Sequence, residues 1–319
     1  MRAADWNNGR RNEVRPTTGR SITRVAVCLL ALASLAALPA AAIPIQTQSA
    51  LTAHEGEVIV RTQYRMLQAT GDPTAANREL RVRAVPTAIV YGLTARLNLF
   101  AVVPYVDKEL RLNTPAGRVT RGAEGIGDVT TFAKGRVWTS DGPGWTRRLS
   151  LIGGVKWPTG DFDQSDFLGT LPRPLQPGTG SLDPLAGVVF TWQTLGWQVD
   201  ADAVYQRNTV RDGFERGDTL TANLAAQLRL LPRELPDRGV PAYLNGVLEL
   251  NGRWAGKDEV DGRADPDSGG HTLFLSPGLQ WVGTRWLVEA GAQVPVVQDL
   301  NGDGLESDFA LTVGVRWQY

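Results

Sequence analysis

Residues 309–319, FALTVGVRWQY, alternate without a break. Phe309, Leu311, Val313, Val315, Trp317 and Tyr319 share one parity; Ala310, Thr312, Gly314, Arg316 and Gln318 share the other. Successive side chains on a strand point to opposite faces, so this pattern describes a strand with one apolar and one polar side. The same period recurs back to Glu57 and gives twelve strands. The first six are Glu57–Leu67, Leu80–Tyr91, Leu93–Tyr105, Gly127–Trp138, Arg148–Trp157 and Pro184–Thr194. The other six are Trp197–Arg207, Thr219–Leu230, Tyr243–Trp254, Thr272–Val282, Arg285–Pro295 and Phe309–Tyr319.

The connections decide where the apolar face goes. Gln68–Glu79, Val106–Ile126, Pro158–Asp183, Asn208–Asp218, Ala255–His271 and Val296–Ser307 are long and rich in Gly, Pro, Asp and Arg. Between them lie Gly92, Leu195-Gly196 and Gly283-Thr284, which are minimal, and Thr139–Arg147 and Leu231–Pro241, which are longer. A barrel spanning a membrane with both termini on one side alternates long loops with short turns, whereas a soluble sandwich has no reason to. Ten or eleven residues at about 3.3 Å each, tilted by about 40°, also cover an apolar band of roughly 25 Å. Trp138, Trp157, Trp192, Trp197, Trp254, Trp286, Trp317 and Tyr319 fall near strand ends, where interfacial aromatic girdles belong. The fold class is therefore all-β, a transmembrane antiparallel up-and-down β-barrel of about 12 strands.

The amino terminus supplies the address. A basic stretch (Arg2, Arg10, Arg11, Arg15, Arg20, Arg24) leads into the apolar run Val25–Leu38, and Ala40-Ala41-Ala42 forms a small-residue cleavage pattern. The run is too short for a helical anchor, and no other apolar run approaches 20 residues. The expected organisation is a cleaved signal peptide at 1–42, a periplasmic segment at 43–56 and the barrel at 57–319. Cys28, the only cysteine, lies inside the signal, so the mature chain has no disulfide, thiolate nucleophile or cysteine metal site. With 33 basic and 33 acidic residues there is no basic footprint for nucleic acid.

In lipid the apolar parity faces outward and the polar parity lines the lumen. On that phase the lumen-lining residues are Arg61, Arg81, Arg83, Arg96, Lys134, Arg136, Lys156, Asp200, Asp202, Arg229, Glu249, Arg253 and Arg316. Arg65, Arg148, Glu57, Asp128, Glu289 and Asp308 share the inward side. The basic excess has two readings: drawing anionic or aromatic-acid solutes into a pore, or pairing with the inward acids to stiffen a nearly filled interior.

Several segments resemble the outer-membrane proteins named for the phenol meta-cleavage degradation (MetA) pathway: Tyr91–Tyr105, Gly125–Trp138, Gly153–Asp161, Pro177–Pro184 and Val294–Trp317. They are glycine turns and strand ends spread over most of the barrel. The resemblance implies a barrel in the outer membrane of a Gram-negative bacterium that moves small hydrophobic or aromatic solutes by diffusion. The alternative is a structural or surface-loop binding barrel with a plugged lumen, which an inward-folded Pro158–Asp183 loop would favour. The closing strand Phe309–Tyr319 resembles the last strand of such barrels, which implies the barrel-assembly machinery as a partner.

No catalytic signature competes. A hydrolytic site needs a nucleophile beside an oriented base, and the two histidines, His54 and His271, lie before the first strand and at a loop edge. The chain is read as a non-enzyme without cofactor or metal. Asp299-Leu300-Asn301-Gly302-Asp303-Gly304 opens like a calcium loop, but Ala310 stands where the closing bidentate Glu is needed.

Overall fold

The computed structural model describes residues 43–234 and 242–319; the expected signal peptide lies outside them. Thirteen strands form one antiparallel sheet: β1 (Val58–Gly71), β2 (Glu79–Thr94), β3 (Leu97–Thr114), β4 (Gly117–Ile126), β5 (Thr130–Gly142), β6 (Trp145–Lys156) and β7 (Asp183–Thr194). The sheet continues through β8 (Trp197–Gln206), β9 (Thr219–Leu231), β10 (Tyr243–Ala255), β11 (Gly270–Val282), β12 (Trp286–Leu300) and β13 (Glu306–Gln318). β1 pairs with β2 on one side and with β13 on the other, so the sheet closes on itself. Twelve of the strands are staves of the barrel. Closure leaves no stave with an unpaired edge, which a wall in hydrocarbon requires.

The thirteenth strand replaces an expected loop. Val106–Ile126 is read from sequence as a connection, yet β3 continues to Thr114 and returns as β4, paired only with the upper half of β3. Below Pro104, β3 pairs instead with β5. The result is a hairpin standing above the wall.

Two further connections differ. Thr139–Arg147 shrinks to Pro143-Gly144, because β5 runs to Gly142 and β6 begins at Trp145. The expected turn at Gly92 is instead Ala95-Arg96. Gly92 serves a close approach. A Cβ there would collide with the His54 carbonyl oxygen, so the strand admits a chain segment pressed against its inner side.

Outward parity is apolar, with Leu224, Leu248, Val288, Val313 and Val315 exposed to the lipid side and Trp138, Trp157, Trp197, Trp254, Trp281 and Trp317 exposed toward the rims. The inward parity is buried and polar, including Gln63, Asn98, Thr191, Gln227, Asn251, Ser276 and Gln280. This inside-out distribution is what a bilayer imposes.

Candidate functional site: the occupied lumen

Residues 43–53, read from sequence as periplasmic, lie inside the barrel. Their backbone amides are unpaired by any strand, and the inward acids of the wall accept them. Glu249 accepts from the amides of Ile45 (2.7 Å), Gln46 (3.1 Å) and Thr47 (2.8 Å) and from the Thr47 hydroxyl (2.6 Å). Asp202 accepts from the Gln48 amide at 2.7 Å, and Thr191 Oγ1 from the Ala50 amide at 2.7 Å while donating to Asp200.

Cations hold the carbonyls of the same segment. Lys134 Nζ donates to Ser49 O at 2.6 Å, and Arg61 Nη2 donates to Pro44 O and Ile45 O at 3.0 Å each. Arg61 also grips Glu289 with two hydrogen bonds, at 2.9 and 2.8 Å. Ionised partners make such bonds the stronger kind, and each buried amide left without one would cost about 1–3 kcal/mol. Ile45 fits against Gly278 and Gly291, the latter leaving only 3.1 Å between a built Cβ and Ile45 Cδ1. The segment is thus a fitted part of the wall's interior.

A second element closes the loop side. Segment 158–182 folds inward: Asp128 accepts from Gly160 N at 3.0 Å and from Thr179 N and Oγ1 at 2.8 and 2.7 Å. Lys156 pairs with Asp183 and, at 3.5 Å, with Asp128, and donates to Thr179 Oγ1 at 2.6 Å. Leu171 and Leu175 are buried against Ala123, Leu80 and Leu110 beneath the β3–β4 hairpin. Arg121 on β4 clamps Asp166 with two bonds, at 2.8 and 2.9 Å.

Of the other residues expected in the lumen, Asp200, Arg316 and the half-buried Arg229 take the inward parity. Arg136 donates to Ala95 O at the short-turn rim, at 2.9 Å. Arg253 reaches the mouth on the loop side.

Three expectations fail. Arg81 and Arg83 share the parity of Ile89 and Tyr91, which are 44% and 42% exposed, whereas Val90 between them is 8% exposed and inward. The register with β3 is unbroken over this stretch, so both arginines point outward, and Arg83 pairs there with Asp107 at 2.7 Å. β2 is apolar on both parities where it crosses the bilayer, and its arginines lie beyond it, so polarity misreports the phase. Arg96 is an exposed turn residue, because the hairpin reverses at Ala95-Arg96.

The lumen wall has two characters. On β2, β3 and β5 the inward residues Ala88, Val90, Phe100, Val102 and Phe132 form an apolar strip beside the polar Asn98 and Lys134, with Phe100 and Phe132 stacked at 4.4 Å. On β8 to β13 they are Gln198, Asp200, Asp202, Gln227, Glu249, Asn251, Ser276, Gln280, Glu289 and Thr312. Residues 43–53 bond chiefly to the polar side, and between them and the apolar side remains a cavity of about 180 Å³. Another, of about 280 Å³, lies at the mouth under Pro177 and Thr179. Among the described residues no cluster of three or more His, Asp or Glu could hold a metal ion.

A family model described as "Putative MetA-pathway of phenol degradation" matches residues 74–299. Among solved structures the chain is similar to the COG4313 outer membrane channel from Pseudomonas putida F1, with a TM-score of 0.65, 15% identity, and 88% of this chain and 100% of that chain covered. At that identity the likeness establishes the fold and nothing finer. It is also similar to the translocator domain of the autotransporter NalP from Neisseria meningitidis (TM-score 0.42, 14% identity, 84% of this chain and 91% of that chain). No protein of curated function matches the chain.

Proposed function

This chain belongs to the family described as "Putative MetA-pathway of phenol degradation", and from that premise we propose that it carries small hydrophobic or aromatic solutes across the outer membrane. The observation that carries this reading is the apolar side of the lumen. An aqueous pore has no use for Val90, Phe100, Val102 and Phe132 facing inward, since apolar surface there costs about 25 cal/mol per Å² left wet. A solute that takes the place of that water recovers the cost. The cavity of about 180 Å³ lies along this strip, the other lies at the mouth, and Lys134 and Arg61 hold carbonyls of residues 43–53 beside the first.

No catalytic step is assigned. The closing strand β13, with Leu311, Val313, Val315 and Trp317 exposed on the lipid side, is the segment offered to the barrel-assembly machinery. A second reading has its own observation: with residues 43–53 bonded in the lumen and 158–182 folded over the mouth, the barrel could serve as a closed structural or binding barrel.

Uptake separates the two. The mature chain is placed in vesicles with a lipopolysaccharide outer leaflet, and uptake of a radiolabelled neutral monoaromatic is compared with uptake of glucose. The transport reading expects the aromatic to cross faster than in protein-free vesicles while glucose is excluded. Equal rates with and without protein favour the closed barrel.

A further inference from the structure

The cavity at the loop-side mouth has a chemistry that its surroundings do not use. It is lined by Lys156, Arg216 and Arg253 together with Asp128, Asn208 and Pro177. Arg253 comes from the upper end of β10, and Arg216 from the segment that joins β8 to β9.

The carboxylates nearby are already engaged. Asp128 accepts from Gly160 and Thr179, and Asp183 accepts from the Thr209 amide at 2.9 Å and pairs with Lys156. Asp258 accepts from the Gly217 amide at 2.8 Å. Lys156 is therefore neutralised, while among the described residues neither Arg216 nor Arg253 has a hydrogen-bond or ion-pair partner. Each guanidinium keeps five donors in a planar fork, the geometry that binds a carboxylate with two parallel bonds. The positive field is felt nearby: Lys108, on the outer hairpin, is pushed down to about 8, first by burial and then by the charge of Arg216.

One side of the cavity is formed by Pro177. Pro177 meets Gly127, whose other neighbour is Pro104 at the top of β3, immediately above the strip of Val102 and Phe100. At about 280 Å³ the cavity sits near the lower end of the roughly 300–1,000 Å³ usual for small-molecule sites. It suits the charged head of one small solute, and the apolar strip of Val102 and Phe100 lies beyond it.

We infer that Arg216 and Arg253 form a capture site for the carboxylate of small, otherwise apolar organic acids, with the body of the acid directed toward the β2–β3 strip. This rests on the transport reading and narrows its substrate class. Capture at the mouth raises the local concentration of the acid, and the attraction weakens with ionic strength because the mouth is wet.

The test is equilibrium binding of benzoate to the detergent-solubilised mature barrel by calorimetry, with uncharged benzyl alcohol and inorganic phosphate as comparison probes. Arg216→Gln, Arg253→Gln and Arg253→Lys are compared with the unaltered chain, and folding is checked by heat-dependent gel migration. Arg216 lies outside the barrel wall, so its variant reports even if the Arg253 variants fail to close. Benzoate affinity is expected to fall at least tenfold in each Gln variant and with added salt, to recover in part in Arg253→Lys, and benzyl alcohol binding should not change.

Benzoate binding that is indifferent to both arginines overturns the inference. So does phosphate binding as tightly as benzoate, which would make the mouth a general anion site. Uptake of the neutral aromatic with arginine-independent benzoate binding sinks this inference alone. Failure of all aromatic uptake with arginine-dependent benzoate binding sinks the transport reading and leaves the site standing.

Discussion

The two sides of the lumen share one wall and one backbone pattern, yet they treat the chain inside them differently. The β8–β13 side presents carboxylates and amides, and it binds residues 43–53 through backbone amides: Glu249 takes three of them and Asp202 one. The β2–β3–β5 side presents Val90, Phe100, Val102 and Phe132 and leaves a cavity of about 180 Å³ against the same segment. The segment's unpaired amides need acceptors, which apolar side chains cannot supply, and an apolar solute gains nothing from carboxylates that are already saturated. On the transport reading, one side anchors the segment and the other is the route of passage.

If anchoring belongs to the polar side, removing what it holds should have the largest effect. Deleting residues 43–53 from the mature chain is expected to raise single-channel conductance in planar bilayers on the order of tenfold; an unchanged trace would mean that segment 158–182 alone closes the lumen. Glu249→Ala orphans the amides of Ile45, Gln46 and Thr47, at about 1–3 kcal/mol each. In a Gln46→Cys background it should speed thiol labelling from the aqueous side by about tenfold or more, while the matching change on the other side, Val102→Ala, should not.

Gly92→Ala is a smaller perturbation, because it presses on the inner segment at His54 without removing a bond. Overpacking of this kind costs about 1–3 kcal/mol, which should appear as a lower urea midpoint with labelling at Gln46→Cys only modestly raised. The smallest effects belong to charges outside the lumen. Asp107→Asn breaks an exposed pair with Arg83 and should change stability by less than about 1 kcal/mol with conductance unaltered. Asp72, in the loop after β1, is held well below the usual carboxylate range first by its hydrogen bond from Arg78. A depressed folded value means the contribution is present above the ordinary value of 3.8 and is lost as pH falls through the lower folded one. Hydrogen exchange across residues 72–78 should therefore stay protected at pH 5 and rise only under strongly acidic conditions, with neither lumen side affected.

Much of the wall is legible in the sequence, because a stave between lipid and a polar lumen must alternate. Asp200 and Asp202 on β8, Glu249 on β10 and Arg316 on β13 read inward for that reason, and they are inward. The rule fails where its premise does. On β2 both sides are apolar, so Arg81 and Arg83 set the phase by default, although they stand above the bilayer where outward charge costs little. Gly92 reads as a turn when its smallness serves the passage of His54.

Residues 43–53 leave almost no mark, because the wall recognises their backbone amides and carbonyls, which any sequence carries. What could have hinted at an occupant was the excess of inward carboxylates and amides on one half of the barrel. Such groups need partners, and no strand could supply them all.

Passage along the apolar side is tested most directly by uptake of a neutral monoaromatic into lipopolysaccharide-faced vesicles by two variants. Val102→Asp places a charge on that strip; Asn245→Asp places one of similar size on the polar side, where Asn245 is buried and inward. Val102→Asp is expected to slow uptake by about tenfold, equivalent to about 1.4 kcal/mol, and Asn245→Asp to leave it within about twofold. Equal slowing by both, or slowing by Asn245→Asp alone, would contradict that route.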